Sequence, residues 1–219
     1  MENMDTLAAR QQMVDQQIRT WEVLDPRVLD AVSAVPREAF VPSAYRELAF
    51  ADAPLPIGFG QSLLAPKIQG RILQALEINP TDAALEIGTG SGYLSACLGL
   101  LAGSTRSIEI HPELSAEAAA NLSAVRQARV QLETRDAFSA APLGDYDVIA
   151  VTGSLPIYDA RFERALRLGG RLFAVVGPAP VMDAILVRRV GEAEWIRESL
   201  FETVIDPLIN ATAPRAFVF

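Results

Sequence analysis

LEIGTGSGY, residues 85–93, sets three glycines between a short apolar run and an apolar helical stretch. The run AALEI (83–87) reads as a buried strand, and the residues from Gly92 onward read as a helix. Gly88, Gly90 and Gly92 therefore fall at a strand-to-helix turn. Glycines there let the backbone bend sharply and approach a ligand at the carboxyl end of a strand, beside the positive end of a helix. A nicotinamide-type fingerprint wants G-x-G-x-x-G, yet here the third glycine comes one residue early and Tyr93 takes its place. The spacing favours a different cofactor.

Outward from this loop, short apolar runs alternate with helical stretches. The runs are RSIEI (106–110), VQLET (130–134), DVIAVT (147–152) and RLFAVVG (171–177), with helices starting near Gly92, Pro112 and Asp159. That alternation predicts an α/β fold with a mostly parallel sheet flanked by helices. The tail differs. ILVRRV (185–190) and EWIRESLFETVI (194–205) alternate apolar and polar with no helix between them, which predicts an antiparallel C-terminal strand pair.

Before the loop, Leu7, Val14 and Ile18 lie on one stripe of an N-terminal helix running to about Leu24. A second helix is signalled by Asp25 as cap and Pro26 at the first helical position, with Val28, Leu29, Val32 and Val35 inward. Residues 36–66 hold five of the fourteen prolines and read as a long functional loop. A third helix carries Ile68, Ile72, Leu73 and Leu76. We expect a single domain over 1–219, with N-terminal helices and a substrate-side loop in 1–80 and a cofactor-binding α/β core in 81–219.

Half of the 219 residues are hydrophobic and 21% are charged, the balance of a folded protein. A net charge of −8 argues against nucleic-acid binding, which needs clustered cations. The N-terminus lacks the basic start and apolar stretch of a signal peptide, and no run is long enough to span a bilayer, so a cytoplasmic location without membrane attachment is expected. One cysteine, Cys97, and one histidine, His111, offer neither a disulfide, a metal cluster nor a histidine-based triad. Trp21 and Trp195 read as packing residues.

Three carboxylates give the glycine loop its chemistry. Glu86 stands two residues before the first glycine. Glu109, closing the second strand about twenty residues on, can accept hydrogen bonds from both hydroxyls of a ribose. Asp136, just past the third strand, is placed to reach an adenine amino group. Thr89 and Ala137, neighbours of these groups, complete the candidate cofactor set of Glu86, Gly88, Thr89, Gly90, Gly92, Glu109, Asp136 and Ala137.

The chain resembles the protein-L-isoaspartate O-methyltransferase family. The resemblance rests on VPREAFVP (35–42), ADAPLPIGFGQ (51–61), LEIGTGSGY, YDVIAVT and GGRLFAVVG. The glycine motif is shared by many methyltransferases, and the first two blocks are the specific ones. The resemblance implies a Rossmann-like class I methyltransferase fold and S-adenosylmethionine as cofactor, with S-adenosylhomocysteine as product. It also implies an isoaspartyl-containing protein or peptide as methyl acceptor. A carboxylate with a pKa near 4 is ionised at neutral pH, so such a reaction needs no general base.

The match breaks on the acceptor side. The family pattern G-x-G-Q-T-I-S-Q-P is GFGQSLLAP here, so Ser62 keeps a hydroxyl while Leu64 and Ala65 replace a serine and a glutamine. Leu94 follows the motif tyrosine where bacterial members often carry glutamine, and TGSLP (152–156) replaces the frequent TAAA segment. Ser62 is the candidate catalytic residue, orienting the acceptor, with Leu55, Pro56 and Ile57 walling the cleft. The departures keep two other functions open: a methyltransferase for another small-molecule acceptor, and a cofactor-binding protein without turnover. They also predict poor use of an isoaspartyl peptide, because lost donors weaken a site built on hydrogen bonds.

Overall fold

The computed structural model describes residues 4–127 and 129–214. Helix α1 (Met4–Met13) runs into a π-helical turn, Val14–Ile18, and a short 3-10 turn, Arg19–Trp21. Met13, Val14 and Ile18 are buried, whereas Leu7 is 45% exposed. The expected apolar stripe thus begins later than its spacing suggested, because α1 meets the body of the protein only from Arg10 onward. Helix α2 (Pro26–Ala34) starts as the sequence predicts, with the Asp25 carboxylate accepting the Arg27 N–H at 2.8 Å.

The segment 36–66 is more ordered than a loop. It forms two 3-10 turns, Arg37–Phe40 and Ser43–Leu48, and then an antiparallel hairpin of β1 (Leu55–Gly58) and β2 (Gln61–Leu63). Proline is tolerated in such a two-stranded ribbon because both strands are edges. Helix α3 (Pro66–Ala75) follows.

The core is a seven-stranded sheet of order β5-β4-β3-β6-β7-β8-β9. Its strands are β3 (Ala83–Ile87), β4 (Ser104–Glu109), β5 (Val130–Thr134), β6 (Tyr146–Leu155), β7 (Leu166–Val176), β8 (Met182–Gly191) and β9 (Glu194–Thr203). The first five are mutually parallel, and β8 and β9 form the expected antiparallel pair at one edge. Helices α4 (Tyr93–Leu101) and α5 (Pro112–Ala124) cross between β3, β4 and β5. The helix expected near Asp159 is a single turn, α6 (Arg161–Arg164).

Alternation along β3 divides the core. Ala84 joins the cluster under the N-terminal helices, and Leu85 and Ile87 join the cluster on the other face. Glu86 therefore points with Ala84, beneath α4. Trp21 packs edge-on against Phe201 at 5.8 Å, and the Trp195 indole donates to the Glu163 carbonyl at 3.1 Å. No helix among the described residues is long and apolar enough to cross a membrane.

Candidate active site

The glycine loop folds down on the carboxyl end of β4. The Gly88 N–H donates to the Ile108 carbonyl at 2.9 Å, and the Gly90 N–H donates to Glu109 Oε2 at 2.8 Å. The other Glu109 oxygen accepts the His111 N–H at 3.0 Å. Glu109 is buried and clamps the loop to the start of α5. Its two oxygens keep further lone pairs for a ribose.

Gly88 and Gly90 have φ of 97° and 55°, a region that disfavours side chains. A Cβ on Gly88 would sit 2.5 Å from Thr152 Oγ1, and one on Gly90 would sit 2.9 Å from Ile57 Cδ1. Gly92 has φ of 90°, and a Cβ there would also press on Ala118 at 3.2 Å and push α4 away from α5.

Glu86 is fully buried in a ring of hydroxyls. Its Oε2 accepts from Ser107 Oγ at 2.6 Å and from Ser95 Oγ, and Thr89 Oγ1 contacts Ser107 Oγ at 2.6 Å. Its Oε1 has no hydrogen-bond partner among the described residues. Burial pushes the Glu86 carboxyl up to about 7, against the lowering effect of the two serine hydroxyls.

Two narrow adjoining cavities meet at this loop. One is lined by Glu86, Gly88, Thr89 and Gly90 with Ile57 and Ser62, and the other by Gly88, Gly90, Glu109 and His111 with Ser62 and Leu208. Asp136 and Ala137 line neither. Asp136 Oδ1 accepts the Phe138 N–H at 2.7 Å and Oδ2 accepts from the Asn210 amide at 3.0 Å, so it ties the tail to the loop after β5. Ala137 packs in the second core cluster.

Ser62 also lines a third, larger cleft of about 500 Å³, whose walls include Leu64, Ala65 and Ile68 from α3 and its entrance. Its hydroxyl has no hydrogen-bond partner among the described residues. One serine thus lies at the junction of the glycine-loop cavities and the cleft, and the two substituted positions face that cleft. Pro54 belongs to the same wall, while Ile57 serves the glycine-loop side.

Several groups here are not among the candidate residues of the sequence. Thr152 Oγ1 lies 2.7 Å from the Gly88 carbonyl and 2.9 Å from the Ile87 carbonyl. Phe59, with φ of 56° at the hairpin tip, stacks on the His111 ring at 4.4 Å. The tail is held by Ser154, whose N–H donates to the Asp206 carbonyl and whose carbonyl accepts the Leu208 N–H. Arg37, inside the VPRE block, is buried and joined to Ala49, Leu64 and Gln69.

Comparison with known proteins agrees with this geometry. The protein-L-isoaspartate(D-aspartate) O-methyltransferase family model matches residues 8–212. The chain is 38% identical over 202 residues to a protein-L-isoaspartate O-methyltransferase of Koribacter versatilis, covering 92% of this chain and 90% of the relative. A Rhodopseudomonas palustris protein of the same name is 38% identical over 201 residues, covering 91% and 92%. Among solved structures, a Plasmodium falciparum protein assigned to the same enzyme and bound to S-adenosyl-L-homocysteine superposes with a TM-score of 0.79 at 17% identity, covering 91% of this chain and 97% of that one. That likeness concerns the fold.

Proposed function

Because the chain belongs to the protein-L-isoaspartate(D-aspartate) O-methyltransferase family, we propose that it transfers a methyl group from S-adenosylmethionine to the carboxylate of isoaspartyl residues in damaged proteins. The observation that carries this reading is Ser62, which lines both the glycine-loop cavities and the large cleft. A methyl donor on one side and an acceptor on the other would meet at its free hydroxyl.

The residues present fit such a cofactor. Glu86 Oε1, without a partner among the described residues, is the acceptor that an ammonium group needs, and Gly88 and Gly90 leave open the space that a Cβ would fill. Bound there, the cofactor supplies an electrophilic methyl group on a sulfonium. Glu109 orients the ribose while holding the loop through Gly90 and His111, and we assign Asp136 and Ala137 to the adenine side. Both cavities are narrow, so entry of a nucleoside requires the hairpin tip at Phe59 or the tail at Leu208 to shift.

Ser62 orients the acceptor carboxylate toward the glycine loop, and Ile57 and Leu64 keep water from the reacting atoms. No residue needs to remove a proton, because the acceptor is already ionised at neutral pH. Catalysis rests on alignment, which supplies up to about 7–11 kcal/mol in ideal cases. Methylation of a damaged residue makes this a repair activity, and we place it in the cytoplasm.

Leu64 and Ala65 on the cleft wall support a second reading, a small acceptor with an apolar flank. Labelled-methyl transfer to an isoaspartyl peptide and to its aspartyl twin separates the two. Transfer to the isoaspartyl peptide alone is expected. Transfer to neither, by a protein that binds S-adenosylhomocysteine, overturns the isoaspartyl reading.

A further inference from the structure

We infer that Asp206 selects acceptors that carry a cationic group close to the methylated position, an inference that rests on the methyltransferase reading above. Among the described residues, three charged ones line the large cleft: Asp52, Lys67 and Asp206. Lys67 is already committed. Its Nζ lies 2.8 Å from Asp52 Oδ2 and 4.6 Å above the Trp21 ring. The Asp206 carboxylate, by contrast, has no ion-pair or hydrogen-bond partner among the described residues.

The backbone around Asp206 is fixed. The Ser154 N–H donates to the Asp206 carbonyl at 2.9 Å, Ser154 Oγ donates to the Ile205 carbonyl at 3.1 Å, and the Leu208 N–H donates to the Ser154 carbonyl at 3.0 Å. A half-buried carboxylate is thus held on one wall of a cleft whose other walls are largely apolar, among them Leu64, Ala65, Ile68 and Met182. Apolar walls strengthen an electrostatic interaction relative to open water.

The described residues of the cleft carry a formal charge of −1, from two carboxylates and one ammonium, in a chain of net charge −8. That field attracts cationic acceptors and repels acidic ones. An isoaspartyl peptide with lysine or arginine beside the isoaspartate satisfies both ends of the site. Its carboxylate goes to Ser62 and its cation to Asp206. Asp206 is here a specificity residue and takes no part in methyl transfer.

The test uses isoaspartyl peptides that differ only in the residue after isoaspartate, lysine or glutamate, together with their aspartyl twins. Binding to the full chain is read by calorimetry with S-adenosylhomocysteine present. The lysine peptide should bind at least about tenfold more tightly than the glutamate peptide, with a gap that narrows as salt rises. Asp206→Asn should cut that ratio below about threefold, and Asp206→Lys should reverse it. An unchanged ratio in Asp206→Asn, or no measurable binding of the lysine peptide to the parent protein, overturns the inference. If the lysine preference and its loss appear equally with the aspartyl twins, the role of Asp206 stands and the isoaspartyl reading falls.

Discussion

The Arg37 guanidinium donates an Nη2–H to the carbonyl of Leu64 at 2.8 Å, fully inside the protein. Its Nε donates to the Ala49 carbonyl at 2.8 Å, its Nη1 donates to Gln69, and its plane lies 5.0 Å from the Tyr93 ring centroid. One side chain therefore joins the segment before the hairpin, the entrance of α3 and the first residue of α4. The wall of the acceptor cleft is fastened to the helix that leaves the glycine loop.

Replacing Arg37 with alanine should cost at least about 3 kcal/mol of stability, because it strands three buried acceptors at about 1 to 3 kcal/mol each. Arg37→Lys keeps the charge but not the planar fork, and should recover less than half of the loss. Urea unfolding midpoints at constant slope measure both. A loss under about 1 kcal/mol in Arg37→Ala would show that water replaces the guanidinium.

Glu109→Ala removes the clamp on Gly90 and His111 together with the ribose acceptor. Binding of S-adenosylhomocysteine should weaken by about 1.5 to 3 kcal/mol, the range for hydrogen bonds to a charged partner. Calorimetry on a variant shown to be folded decides it. An unchanged Kd would make Glu109 a structural clamp alone.

Glu86 gives the stability a distinctive pH dependence. Its carboxyl is raised from the ordinary 4.5 to about 7 by burial. Between those values the unfolded chain has released a proton that the native chain still holds. Stability therefore falls as pH rises through that window and levels off above it, a change of about 3 kcal/mol at about 1.36 kcal/mol per pKa unit. Glu86→Gln should lack this slope, so that its advantage over the parent grows from pH 5 to pH 8. Parallel unfolding curves for the two proteins across that range would refute the raised value.

The parallel strands and the glycine loop were legible because period, length and turn residues act locally, and LEIGTGSGY carries all three. Glu109 was legible for the same reason, as an acid closing the next strand. The partners of Asp136 were not. Asn210 reaches it across 74 positions, and nothing local to either residue signals that pairing. The serine ring around Glu86 likewise draws on Ser95 from α4 and Ser107 from β4, which only the completed βαβ unit brings together. The hairpin was hidden by its own prolines, since the rule that excludes proline from sheets fails in a ribbon with two edges.

The acceptor side gives the sharpest test, because Leu64 and Ala65 face the cleft while the backbone beneath them is held by Arg37. Side chains can be exchanged there without releasing the anchor, which takes the Leu64 carbonyl and no side-chain atom of Leu64 or Ala65. If an isoaspartyl peptide lies against this wall, its backbone polar groups meet leucine and alanine where the family pattern supplies a hydroxyl and an amide, at about 1 to 3 kcal/mol for each unpaired group. The parent protein should then turn the peptide over poorly. Leu64→Ser combined with Ala65→Gln should raise kcat/KM by at least about tenfold, which requires only about 1.4 kcal/mol of extra transition-state stabilisation. The glutamine has a cleft of about 500 Å³ to enter, so overpacking does not oppose the gain. Efficient turnover by the parent would mean that the apolar wall is compatible with isoaspartyl peptides. Poor turnover by both proteins would move the origin of the difference to TGSLP, whose Thr152 and Ser154 hold the glycine loop and the tail.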